Sequence, residues 1–278
     1  MQSTVEFSVS SLFLYPIKSC AGVRVDQLHF NAAGAVAGDR DWVVVNAASE
    51  VVWQGSHPRL ALVSPEFRDD RLVLSAAAFG QIEVDRASAD TRCDVKIWSE
   101  ANGRHNVFPG YDAGDAAATF LSTVVAARVR LVRLAPAALA RQGVSHAHVI
   151  SLSSLAEVNA ALTSCGQQAA EVERFRPNIV LTDHAEPLPP FIEEHVVDLN
   201  WGSGEQTGRL SVLAPCIRCV VPNVDPQTGL VAEEPLATVT RLSAQRHPGK
   251  PVYFGIYASA AGAAVLSAGA TLVATLAF

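Results

Sequence analysis

Two cysteines stand three residues apart in the stretch APCIRCVVPNVDPQTG, residues 214–229. A zinc ribbon needs four ligands at fixed spacing, and the chain has no second Cys-x-x-Cys. Cys216 and Cys219 could be half of a zinc site shared between two chains, a redox dithiol, one reactive thiolate with a passive neighbour, or two small buried side chains. A thioredoxin-like pair opens a helix whose N-terminus lowers the thiol pKa. The prolines and β-branched residues of VVPNVDP argue against a helix here. Arg218 directly precedes Cys219 and would favour a thiolate there. A lone thiolate is a soft ligand for a transition metal whose other ligands come from elsewhere.

Three further stretches carry charge or fixed hydrogen-bonding geometry. In LYPIKSCAGV, Lys18 and Ser19 follow a strand end and could hold a phosphate by charge, hydroxyl and backbone N–H. An ordinary surface turn fits that stretch as well. In GDRDW, Arg40 lies between Asp39 and Asp41, either as a local ion pair or as an arginine held by an aspartate and aimed at an anion. In RFRPNIV, Pro177 fixes the backbone at a strand entrance. Arg176 offers a planar fork of donors there, and Asn178 offers both a donor and an acceptor. That set suits a polar, anionic ligand, with a solvated basic loop as the alternative. The net charge of −6 gives no overall attraction to nucleic acid, so an anion must be met by local basic residues.

The elements that must position these residues are mostly strands. Before residue 100, FSVSSLFLYPI, VRVDQLHF, DWVVVN, LALVSPEF and RLVLSA are short β-branched or aromatic runs separated by turn residues. DAAATFLSTVVAARV predicts a helix that opens on an N-cap candidate. SLSSLAEVNAALTSCG predicts a second, capped by Ser153 or Ser154 and ended by Gly166. RPNIVLTD and RLSVLAP read as strands. The fold class is therefore α+β, mainly β, with a β-rich unit over residues 1–130 and a mixed unit over 131–278. Ligands commonly bind where two such halves meet. Residues 251–278 carry no charge and are long enough to span a bilayer, yet Ala, Gly, Ser and Thr dominate them. VYFGIYAS and ATLVATLAF are better read as two buried strands joined by a small-residue turn. Five cysteines without framework spacing predict a reducing compartment. With no basic n-region at the start, the expectation is cytoplasmic.

Taken in order, YPIKS, GDRDW, HPRLALV, SLAEVN, RFRPNIV, CIRCVVPNVDPQTG, EPLATV and FGIY resemble the signature run of MOSC (molybdenum cofactor sulfurase C-terminal) proteins. The resemblance is to the branch with an N-terminal β-barrel-like domain, which includes the amidoxime-reducing components, and it covers nearly the whole chain. It implies an N-terminal β-barrel-like domain packed on a MOSC barrel with a few helices. It also implies a molybdenum cofactor, a phosphate-bearing pterin (molybdopterin) whose dithiolene holds the metal. Carried over by residue, Cys219 would be the thiolate ligand to molybdenum and the catalytic centre, with Cys216 a near neighbour. Lys18, Ser19 and Arg40 would hold the phosphate. Arg176 and Asn178 would bind the pterin, Arg218 would line the same pocket, and Ser145 would be a further contact. The implied reaction reduces amidoximes or hydroxylamines to amidines or amines.

No ferredoxin-like cysteine run is present, so electrons would come from a separate reductase, iron–sulfur or haem carrier. A sulfur (persulfide) or cofactor carrier without turnover is the alternative. The chain departs from the family pattern at Gly55–His57, at Gly269–Ala270 and at GVSHAH. In the last of these, His146 and His148 could touch substrate, with a surface loop as the preferred reading.

Overall fold

The computed structural model describes residues 3–87, 91–99, 102–140, 146–202 and 207–277. In chain order the first half contains β1 (Ser3–Leu14), β2 (Val23–Val25), β3 (Gln27–Phe30), β4 (Trp42–Val45), β5 (Ser64–Arg68), β6 (Arg71–Ala76), β7 (Gly80–Asp85), β8 (Arg92–Ser99), β9 (Arg104–Asp112), α1 (Asp115–Val125) and β10 (Arg130–Leu134). The second half adds α2 (Pro136–Leu139), β11 (Ala147–Ser151), α3 (Leu152–Ser164), β12 (Ile179–Asp183), β13 (Val196–Trp201), β14 (Gly208–Ile217), α4 (Leu236–Arg246), β15 (Tyr253–Ala260), β16 (Ala264–Ser267) and β17 (Thr271–Leu276).

Seven strands close a barrel. They pair in the order β12, β11, β15, β14, β13, β17, β1, and β1 pairs again with β12. β1 can serve two neighbours because it is long and shifts register between Val9 and Ser11, a bulge that bends it around the wall. Inward-pointing Phe7, Leu181, Leu199, Leu210, Ile256 and Leu272 fill the interior, with Ala258 and Ala274 among them. Small residues suit a narrow barrel in which side chains from facing strands must interdigitate. The uncharged tail thus supplies two barrel strands, β15 and β17, as the sequence predicts, with β16 between them as a third strand outside the barrel. Among the described residues no helix is long and apolar enough to cross a membrane.

The other unit holds the sheet β4–β10–β9–β8 and the meander β5–β6–β7. Trp42, Val44, Leu60, Leu72, Leu74, Leu121 and Leu131 form its core against α1. Sheet membership does not follow chain order. β1 and β2 belong to the barrel sheet, and β3 pairs with β16.

Helix ends differ from the sequence expectation by a residue or more. Gly114, with φ of 90°, is the cap of α1, and Asp115 sits in the first turn, where a carboxylate complements the helix dipole. Ser151, not Ser153 or Ser154, caps α3 and accepts from the Ser154 N–H at 3.2 Å. The serine run has a second task. Ser151 and Ser154 hydroxyls donate to fully buried Glu193 at 2.9 and 2.7 Å. Helices α2 and α4 were not anticipated. Each has proline at its start, and α4 has a low apolar content and packs mainly through Thr238, Val239 and Ser243.

Candidate functional site

Where β1 ends, two of the sequence stretches are laced together by backbone. Arg40 N–H donates to the Tyr15 carbonyl at 2.6 Å, Lys18 N–H to the Trp42 carbonyl at 2.9 Å, and Trp42 N–H to the Pro16 carbonyl at 3.1 Å. Fully buried Asp39 closes the unit by accepting from the Tyr15 N–H at 2.9 Å. Asn178 then ties in the third stretch. Its Nδ2 donates to Asp39 Oδ1 (3.0 Å) and to the Phe13 carbonyl (3.1 Å). Its Oδ1 accepts from His148 N–H (3.1 Å) and Arg40 Nη1 (3.3 Å). Asn178 thereby orients Arg40.

Three of the expected residues share an uncommon backbone. Ser19, Arg40 and Arg176 have φ of 69°, 57° and 56°, the left-handed region that side chains rarely adopt. Such conformations persist where surroundings enforce them, and they gather at functional sites. Arg40 and Arg176 both lie over the Tyr15 ring, at 5.0 and 4.3 Å from its centroid. Arg40 is paired with Asp39. Arg176 Nη1 donates to the Cys20 carbonyl, but its Nη2 is buried without a partner, as is the Tyr15 hydroxyl. Burial, with Arg40 nearby, draws the Arg176 guanidinium down to about 10. A buried arginine short of an acceptor, beside a second arginine, is a place that favours an anion. Lys18 is half-buried and Ser19 buried in the same turn. Ser145 lies outside the described residues.

The cysteine loop is clipped to the Arg176 loop by Arg174, which donates to Asp225 Oδ2 at 2.6 Å. Asp225 Oδ1 accepts the N–H groups of Gln227 and Thr228 at 2.9 Å each, as a turn residue does. Between the two halves runs a cleft of about 410 Å³, bordered by Gly22, Gln54, Glu173, Arg174, Arg176 and Val221. Cys219 is exposed just past the end of β14, whereas Cys216 is 1 % exposed. Sequence adjacency suggested that Arg218 would serve Cys219. Instead its Nη1 donates to Cys216 Sγ at 3.1 Å, and its Nη2 to the Phe175 carbonyl at 3.0 Å. Arg218 Nε is a third buried donor without a partner. His148 is not a surface-loop residue: it is 3 % exposed on β11, and the Arg218 Nη1 also lies 3.3 Å from its Nε2. His146 is half-buried, with its ring 6.4 Å from that of Tyr257.

Two family patterns cover this arrangement. The MOSC N-terminal beta barrel domain matches residues 6–128, and the MOSC domain matches residues 141–273. The chain belongs to the MOSC family. It is 30 % identical over 282 residues to mitochondrial amidoxime reducing component 2 of Bos taurus, covering 91 % of this chain and 78 % of that protein. It is 29 % identical to mitochondrial amidoxime-reducing component 1 of Homo sapiens, over 90 % of this chain and 77 % of that one. It is also 27 % identical to the molybdenum cofactor sulfurase of Homo sapiens, covering 80 % of this chain but 27 % of that protein.

In this MOSC protein Asp39 holds Arg40, as GDRDW allows, whereas the roles of Tyr15 and the contacts of Cys216 are not expected from the sequence. Tyr15 carries a signal, an aromatic residue directly before Pro16 at the end of an apolar strand. A larger cavity, about 810 Å³, lies away from this site between β9, α1 and β10. There Arg130 donates to Asp112 at 2.5 Å and to Asp115 at 2.9 Å, so these three charges are already engaged.

Asp41 gives the MOSC site a pH signature. Burial, reinforced by Asp39 and opposed by Arg86 and Arg133, raises its carboxyl to about 6 from an ordinary 3.8. Between those two values the folded state holds a proton that the unfolded state has lost. Stability therefore falls as pH rises from about 4 to 6, and the cost stays in place above that. Asp41→Asn is expected to raise the melting temperature at pH 7–8, by roughly 1–3 kcal/mol of stability, and to change little near pH 4. Melting curves of both proteins across that range test this; a gain independent of pH would refute the assignment.

Proposed function

We propose that this MOSC protein binds a molybdenum cofactor and reduces N-hydroxylated compounds, amidoximes and hydroxylamines, to amidines and amines. The overall change, R–NHOH + 2 H⁺ + 2 e⁻ → R–NH₂ + H₂O, takes its electrons from a separate donor protein. The observation that carries the reading is an exposed thiol, Cys219, in a loop clipped to a cationic set that has buried donors to spare. Three unpartnered groups, Arg176 Nη2, Arg218 Nε and the Tyr15 hydroxyl, fit a ligand that is anionic and rich in heteroatoms.

Lys18, Ser19 and Arg40 would hold the phosphate, Arg176 and Arg218 would meet the remaining polar edge, and the Cys219 thiolate would ligate the metal. When bound, the cofactor supplies the two-electron centre that accepts the substrate's oxygen. The protein binds and orients. The left-handed backbone at Ser19, Arg40 and Arg176 fixes the donors before the ligand arrives, which removes an ordering cost from binding. Ile217, Val220, Leu230 and Val231 are exposed in the same stretch of chain as Cys219, leaving an accessible apolar surface for an electron-donor protein. The proposed location is the cytoplasm.

Protein purified from a molybdate-supplemented host is expected to contain about one molybdenum per chain and no zinc, and to reduce benzamidoxime when a reductase system is supplied. Absence of molybdenum in a host able to make the cofactor would overturn this reading. The exposure of Cys219 equally suits a persulfide carrier. Cyanide-releasable sulfur on metal-free protein, with no turnover from any donor, would select that function.

A further inference from the structure

Cys216 is the buried member of the pair, and its surroundings are not those of a passive thiol. It sits at a register shift between Pro215 and Ile217, a bulge that turns its side chain into the barrel wall. There it faces three polar groups from three different segments. Arg218 Nη1 reaches Sγ at 3.1 Å from the loop that follows, within reach of a charge-assisted bond to sulfur. His148 comes from β11, and its ring is 5.7 Å from that of Tyr257 on β15. His148 and Tyr257 stand close enough to the sulfur to favour its ionised form electrostatically. Arg40 is near enough to Tyr257 to act on it electrostatically. The Ile217 carbonyl oxygen, 3.8 Å from Sγ, is too far to hold a thiol proton firmly.

We infer that Cys216 is a positioning residue, a thiolate that fixes the Arg218 guanidinium and leaves Arg218 Nε free to meet an anionic ligand. The geometry explains why a cysteine stands here. Arg218 has five N–H donors and needs acceptors for them in a buried place. The Phe175 carbonyl takes one, the sulfur and the His148 ring share the next, and Nε has none. Cys216 therefore supplies the negative charge that keeps Arg218 aimed, while Arg218 and the neighbouring polar groups favour the ionised sulfur. Burial alone would raise the Cys216 thiol; those charges and hydrogen bonds outweigh it and hold the group below its ordinary range. A ligand that needs Arg218 thus depends on a residue that it never touches. The ligand's identity rests on the molybdenum-cofactor reading, but the thiolate and its hold on Arg218 do not.

The test uses purified full-length protein in a Cys219→Ser background, so that only one of the two cysteines reports. Ultraviolet thiolate absorption is followed from acid to alkaline pH, with Cys216→Ser added as the blank. The expected result is one thiolate per chain at pH 7 that the blank lacks, with its midpoint rising by about one pH unit or more in Arg218→Gln. A site that is only packed would show no thiolate at pH 7, or a midpoint that ignores Arg218; either outcome overturns the inference. The functional arm uses wild-type Cys219. Cys216→Ala is expected to lower the molybdenum retained per chain severalfold, and Cys216→Ser, which keeps an acceptor, to restore part of it. Unchanged molybdenum content in Cys216→Ala would remove the positioning role. Wild-type protein without molybdenum would overturn the proposed function, yet the thiolate titration would still decide the role of Cys216.

Discussion

Cys219→Ser is expected to leave a folded protein that has lost its molybdenum and its turnover. The side chain is exposed, and its loop is held by the Arg174–Asp225 pair and the turn bonds of Asp225. Removing the sulfur therefore costs the fold little. The chemistry has no such reserve. A serine hydroxyl stays protonated at neutral pH and is a hard donor, whereas the metal is matched to a soft thiolate. Residues that merely orient metal ligands change affinity or activity by roughly 10–100-fold when altered, so loss of the ligand itself should exceed that range. Elemental analysis and an amidoxime turnover assay on the same preparation check both parts. Full turnover in Cys219→Ser would show that the ligand lies elsewhere, and the neighbouring Cys216 would then be the first residue to test.

Asp39→Ala is the second change with a large expected effect, and it acts on stability and site together. The carboxylate is fully buried, accepts from Tyr15 N–H and Asn178 Nδ2, and pairs with Arg40. Its removal leaves a guanidinium, an amide and a backbone N–H without their acceptor. Breaking one side of a buried ion pair costs about 3–5 kcal/mol. For a chain of this size that corresponds to a fall in melting temperature of roughly 10 °C. Asp39→Asn keeps an oxygen for the two N–H donors and should lose about half as much. Cofactor retention is expected to fall in both, because Arg40 loses its counter-charge. A melting temperature of Asp39→Ala within a degree or two of the parent would show that this junction does not hold the site together.

Much of the site was legible in the sequence because charge and geometry coincide in short stretches. Lys18, Ser19, Arg40 and Arg176 stand beside prolines or glycines that end strands, so their types and their turns were visible together. The fold class was legible through the β-branched runs and the family signature. What was not legible depended on pairing between distant strands. Nothing local to Asn178 showed that it would tie together Phe13, Asp39, Arg40 and His148. His148 looked like a loop residue because its strand, β11, is short and opens beside a polar stretch. Its burial comes from β15, more than a hundred residues later. Arg218 points away from the cysteine next to it in sequence because the register shift at Cys216 brings that sulfur within its reach.

The double pairing of β1 has a consequence for how the protein is made. Phe7 lies opposite Leu272 on one side and Asp183 on the other. A ribosome therefore releases the first strand of the barrel long before it delivers the last one. During that interval the apolar face of β1 has no permanent partner, and a nascent strand of this kind is a natural client for chaperones. The site inherits the delay. Tyr15, at the end of β1, cannot be set against Arg176 until the second half of the chain has emerged. A ligand of this site must accordingly wait for both halves of the chain, and a chain stalled before β17 would carry Tyr15, Arg40 and Arg176 without the closed barrel that sets them together.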